Sequence, residues 1–165
     1  MKGILLIVLL FSSLHAFSGD QDSSEQNLPE LVEARDFSND AVLARREGMP
    51  ILLLVSQERC PFCRQIKREI LGPMLASGEY LGRLLIREIL IDSPGSSVRD
   101  FKGNTQTSRA FAIGYKIQLT PTLLFLDPDG NELAERIVGI QTPELFYFYV
   151  DRAVQDAIAA FPGRS

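Results

Sequence analysis

Residues 51–55, Ile-Leu-Leu-Leu-Val, form an uninterrupted apolar run of strand length directly after Met49-Pro50. A strand with one face in water would alternate apolar and polar residues. A strand that is apolar at every position needs cover on both faces. That requirement points to a central sheet between layers of helix, and the rest of the chain supplies the helices.

Residues 30–48 read as helix in two pieces, with Ser38 or Asn39 as cap of the second and Gly48 as its end. From Pro61 to about Leu75, the residues Ile66, Ile70, Leu71 and Met74 recur at helical spacing, with Pro73 kinking or ending the helix. Residues 84–91 read as a second strand, residues 93–104 as loop and residues 105–115 as a short helix. Residues 122–126 are a third strand. The turn Asp127-Pro128-Asp129-Gly130 leads to a fourth at residues 132–138. A terminal helix opens at Thr142-Pro143-Glu144, with Thr142 as cap and Phe146, Val150, Ala153 and Ala157 as its apolar stripe. The order predicts an α/β fold: a central four- to five-stranded mixed sheet with helices on both faces. Ligand chemistry belongs at the carboxyl end of its first strand.

The first residues are expected to lie outside that domain. Lys2 followed by the apolar stretch 3–14 and the small residues around Ala16 reads as a signal peptide, residues 1–18, cleaved before Gly19. An uncleaved anchor is the alternative. Residues 19–29 read as a polar, disordered leader and residues 30–162 as the domain. Cleavage would remove His15, the only histidine, and leave 16 basic against 21 acidic groups. Imidazole chemistry is then excluded, and the acidic balance argues against a nucleic-acid or anionic-membrane partner.

The two cysteines, Cys60 and Cys63, stand just past the buried strand in Arg-Cys-Pro-Phe-Cys-Arg. Four readings compete. A structural staple between residues three apart closes almost no loop and gains little entropy. Haem attachment needs histidine after the second cysteine, where Arg64 stands. A zinc site lacks further ligands unless two chains share four thiolates. A redox pair accounts for more of the local sequence: Cys60 lies at a strand-to-helix junction, where helix amides favour thiolate, and Pro61 suits the first helical position. Arg59, Arg64, Lys67 and Arg68 outnumber Glu58 and Glu69 nearby and favour the thiolate further.

The segments "LLLVSQERCPFC" and "LTPTLLFLDPDGNEL" together resemble the thioredoxin superfamily, over about residues 40–158. More narrowly, the chain is similar to periplasmic thioredoxin-like proteins typified by the sulfur-oxidation-associated thioredoxins. The resemblance implies a thioredoxin fold, with Cys60 as nucleophile, Cys63 as resolving thiol and Pro121 as a cis-proline beside them. It also implies that Thr120, Pro121, Pro61 and Phe62 bind substrate, Thr120 through its backbone.

Departures from the thioredoxin pattern are equally specific. Arg59 replaces the tryptophan before the first cysteine, and Pro-Phe replaces Gly-Pro between the two. Leu54 falls where thioredoxin keeps a buried aspartate serving the resolving thiol. Glu88 falls near the family's paired lysine and is the candidate substitute, the alternative being a solvated strand-edge glutamate. Arg59, Arg64 and Glu88 are therefore the expected tuning residues.

The resemblance implies a thiol–disulfide oxidoreductase of the periplasm, a reductase of protein or small-molecule disulfides. It needs no cofactor and no metal, is a monomer, and draws electrons from a separate thiol donor at the inner membrane. The alternatives are a disulfide oxidase of the same fold, a Cu(I)-binding protein using both thiolates, and a non-catalytic chaperone.

Overall fold

The computed structural model describes residues 28–162; the expected signal peptide and all but the last two residues of the expected leader lie outside the described residues. The elements in chain order are α1 (Phe37–Glu47), β1 (Ile51–Ser56), α2 (Pro61–Ile66), a π-helical turn (Lys67–Leu71), α3 (Gly72–Ser77), β2 (Leu85–Leu90), β3 (Ser97–Arg99), β4 (Thr105–Thr107), α4 (Ser108–Gly114), β5 (Thr122–Leu126), β6 (Ile137–Val138) and α5 (Phe146–Ala160).

The main sheet has four strands in the order β2-β1-β5-β6. β1 runs parallel to β2 and antiparallel to β5, so the sheet is mixed. All six β1 residues are buried, as a strand covered on both faces must be. Alternate side chains divide between two cores. Leu52, Leu54, Ile86, Leu123 and Phe125 face α2 and α5, where Ile66, Ile70, Val150 and Val154 meet them. Ile51, Leu53, Val55, Ile89 and Leu124 face α1 and α4, where Phe37, Ala44 and Phe111 complete the second core. Phe37 stacks between Phe101 and Phe111, with ring centroids 4.9 and 4.7 Å away.

Several boundaries differ from the sequence reading. Residues 30–36 are not helical. Val32 and Ala34 instead bond the backbone of Glu88, which adds an isolated parallel bridge at the outer edge of β2. An unpaired edge there would expose its amides and carbonyls, and this pairing outweighs weak helical propensity. The helix begins at Phe37 because Asp36, rather than Ser38 or Asn39, caps it by accepting from the Asn39 amide. Gly48 ends it with a φ of 66°.

The helix from Pro61 does not stop at Pro73. The π turn just before it lets Gly72 and Pro73 start α3 within one continuous helical run. Within the segment read as loop, β3 pairs with β4, and α4 starts only at Ser108 under a Thr107 cap. The fourth strand is reduced to Ile137–Val138, with one earlier bridge between Leu126 and Glu132. Thr142 does not cap α5. It sits at φ 48° before a short 3₁₀ turn, Pro143–Leu145, and makes no side-chain cap bond.

The Asp127–Gly130 turn is fixed by chemistry that the sequence announced. Asp127 accepts from the backbone amides of Asp129 and Asn131 at 2.8 and 2.9 Å. Gly130, at φ 83°, lies so close to Phe101 and Tyr115 that a Cβ would sit 2.6 and 2.7 Å from them. On the α1 side, Arg87 grips buried Asp40 through two nitrogens, at 2.8 and 3.1 Å. This pair lets β2 carry an arginine into a largely apolar layer.

Candidate active site

β1 ends at Ser56, and three exposed residues carry the chain to Cys60, whose backbone is extended at φ −107°, ψ 104°. Cys60 is the N-cap of α2: its sulfur accepts from the Cys63 amide at 3.1 Å, and its carbonyl accepts from the Arg64 amide at 3.1 Å. Pro61 occupies the first helical position, where a missing N–H costs nothing. Both sulfurs are joined in a disulfide, Sγ–Sγ 2.05 Å. Both cysteines are buried, Cys60 at 8% exposure and Cys63 at 1%, so the first keeps the larger share of its surface.

The register of the sheet completes the site. β5 runs antiparallel to β1, and Val55 at the end of β1 pairs with Thr122 at the start of β5. The residues just before β5 are thereby set against those just after β1. The Thr120–Pro121 peptide bond is cis. Pro121 is buried, and its carbonyl accepts from the Gly139 amide at 2.8 Å. The Thr120 hydroxyl bonds Gln57 Oε1 at 2.7 Å and stands 3.8 Å from Cys60 Sγ. Phe62 is 60% exposed beside the pair, and Leu119 is 64% exposed before Thr120.

The residues expected to tune the pair divide. Arg59 and Arg64 are exposed, and among the described residues neither forms an ion pair. Lys67 and Arg68, read from sequence as further positive neighbours, are not bare charges: Lys67 bonds Glu88 at 3.0 Å, and Arg68 bonds Glu69 at 2.8 Å. Glu88 is not a solvated edge residue. It is 6% exposed because the residues around Glu33 cover its strand, and it also takes the Ser56 hydroxyl. Sequence reasoning missed Gln57 and Ser56. Nothing in their local pattern marks them, since each acquires its role from a partner more than thirty positions away.

The arrangement provides a dithiol–disulfide pair at a helix start, Cys60 the less enclosed of the two cysteines. An external thiol or disulfide can meet the first, and the second can close on it.

Comparisons with known proteins agree with that chemistry. The Thioredoxin-like domain family matches residues 37–153. The thiol:disulfide interchange protein DsbD of Yersinia pestis is 25% identical over 147 residues, which cover 86% of this chain and 22% of that protein. This chain thus spans about a fifth of the length of the curated relatives it matches. Among solved structures, a poplar thioredoxin h mutant superposes with a TM-score of 0.52 at 19% identity, over 83% of this chain and 95% of that one. Mitochondrial thioredoxin 3 of Saccharomyces cerevisiae, in its oxidised form, gives 0.51 at 12% identity, over 76% and 94%. These likenesses support the superfamily and do not single out a sulfur-oxidation branch. With its Cys60–Cys63 pair, the chain belongs to the Thioredoxin-like domain family and is a thiol–disulfide oxidoreductase.

Proposed function

We propose that this oxidoreductase reduces protein disulfides in the bacterial periplasm, with Cys60 as nucleophile and Cys63 as resolving thiol. The observation that supports the assignment of roles is that Cys60, the N-cap of α2, is 8% exposed against 1% for Cys63, the more enclosed of the two. Thiolate Cys60 attacks one sulfur of the substrate disulfide, forming a mixed disulfide and releasing the other sulfur as a thiolate that takes up a proton. Cys63 gives up its proton and attacks Cys60 Sγ. The second substrate sulfur leaves and is protonated, so the substrate gains two electrons and the Cys60–Cys63 pair loses them. A separate thiol donor of the inner membrane returns the electrons.

Thr120 and Pro121, with Pro61 and Phe62, form the surface that an extended substrate chain would meet. The Cys63 amide and the start of α2 favour the Cys60 thiolate, and the unpaired Arg59 and Arg64 add positive charge nearby. The periplasmic assignment rests on the apolar, Lys2-headed start of the sequence and on the likeness to a thiol:disulfide interchange protein.

The deciding measurement is the redox equilibrium of Cys60–Cys63 in glutathione buffers, run beside insulin reduction. A potential near about −270 mV with catalytic turnover supports a reductase, whereas one near about −120 mV makes the protein an oxidase of the same fold. Stoichiometric Cu(I) binding with no disulfide turnover would overturn both.

A further inference from the structure

From Gln57 to Ile70, four basic residues stand against two acids, in a chain whose net charge is −4. Lys67 is engaged by Glu88 and Arg68 by Glu69, at 3.0 and 2.8 Å. The other two basic residues flank the cysteine pair. Arg59 directly precedes Cys60 and Arg64 directly follows Cys63. Both are exposed, and among the described residues neither has an acid within ion-pair distance. Of the carboxylates on the Arg59 side, Glu58 accepts from the Ser93 hydroxyl at 2.6 Å and Asp92 from the Glu58 amide at 3.0 Å. Those bonds tie both acids into the contact between the loop before Cys60 and the loop after β2.

Phe62 and Leu119, at 60% and 64% exposure, offer a partner apolar area that does not discriminate by charge. The two guanidiniums do. Each presents a planar fork of donors that takes a carboxylate through two parallel hydrogen bonds. Positive potential on both sides of the pair also draws an anionic partner to the encounter and repels a cationic one. We propose that Arg59 and Arg64 are specificity-determining residues that select disulfides flanked by Asp or Glu side chains. Acidic residues on either side of the substrate cysteine meet the two arginines while Cys60 meets the sulfur. This role is separate from the effect of the same charges on the Cys60 thiolate, which acts on every substrate alike.

The selectivity rests on the proposed reduction of disulfides by Cys60–Cys63, and its test separates the two. Two disulfide-linked peptide dimers are used, one with Glu and one with Lys on both sides of the cysteine. Reduced protein is mixed with an excess of either at low ionic strength, and the remaining thiols are trapped by alkylation over time. Each reaction cleaves one peptide disulfide into two thiols and closes the Cys60–Cys63 disulfide. The quantity compared is the Glu-to-Lys ratio of rate constants in each variant against that of the wild type, in which the peptides' own reactivity cancels. The ratio should fall about threefold in Arg59→Gln and in Arg64→Gln, and about tenfold in the double variant. Arg59→Lys/Arg64→Lys should keep most of it. Salt at about 0.5 M should bring the wild type towards the double variant.

A ratio unchanged in the double variant overturns the inference. That holds also where both peptides slow by the same factor, which is the mark of an effect on the thiolate alone. In either case the reduction of disulfides itself stands. A wild type that reduces neither peptide overturns that reading and the selectivity together.

Discussion

Thr120 and Cys60, sixty positions apart, meet at 3.8 Å between hydroxyl oxygen and sulfur, while the Thr120 hydroxyl also bonds Gln57 at 2.7 Å. The contact joins the strand-entry loop of β5 to the cysteine pair. On reduction, the same hydroxyl is within reach of a thiolate. Thr120→Val is expected to slow alkylation of Cys60 at mildly acidic pH about threefold, the loss of one modest hydrogen bond to the charged form. Alkylation rates across pH, measured on reduced protein, check this.

The proposed roles of the two cysteines predict different phenotypes for the two serine variants. Cys60→Ser should abolish disulfide reduction. Cys63→Ser should keep the first step and accumulate a mixed disulfide with substrate, visible by non-reducing electrophoresis and mass spectrometry.

Gly130 combines a φ of 83° with aromatic atoms where a Cβ would go. Gly130→Ala must strain the backbone and displace Phe101 or Tyr115, which also donates its hydroxyl to the Gly130 carbonyl at 2.7 Å. A destabilisation of about 2–4 kcal/mol is expected in denaturant titrations. Since the turn lies at the far end of β5 from Thr120, the redox potential should stay as it is in the wild type.

The Arg87–Asp40 pair is largely buried, its side chains 15% and 12% exposed. Removing one partner leaves an uncompensated charge. Asp40→Ala should cost about 3 kcal/mol, and the double variant Asp40→Ala/Arg87→Met clearly less. A double-mutant cycle in guanidinium gives both values.

Asp36 links the start of α1 to pH. Its carboxyl is held below the ordinary value of 3.8, chiefly by the Ser38 hydroxyl and then by the Asn39 amide and Arg99. A carboxyl whose folded value is depressed adds stability above its unfolded value and loses it as pH falls through the folded one. Asp36→Asn keeps a capping oxygen but cannot titrate, so it should retain most of the wild-type stability at neutral pH and show a flatter decline below about pH 4. Unfolding midpoints measured across that range test the difference.

Much of the fold could be read from local pattern because local pattern causes it. The apolar run at residues 51–55 demanded cover on both faces and received it, and Gly48, Pro61 and the Asp127–Gly130 turn act through their own backbones. The cysteine pair was legible for the same reason: Cys60 and Cys63 reach each other within one helical turn. Residues 30–36 were misread because a segment with no strong pattern takes the structure its neighbour needs, here the unsatisfied edge of β2. Thr142 was misread because its position ahead of α5 is set by the preceding turn, and its own capping chemistry goes unused.

The sequence by itself determined a doubly covered sheet, a helix starting at Pro61 and a thiol pair able to close on itself, all consequences of interactions within a few residues. The tertiary structure alone decided that Thr120 faces Cys60, that Glu88 is buried, and that Lys67 is paired instead of free. Those outcomes depend on strand register and on which segment covers which edge. Both are fixed by burial summed over the whole sheet, which no short stretch of sequence carries.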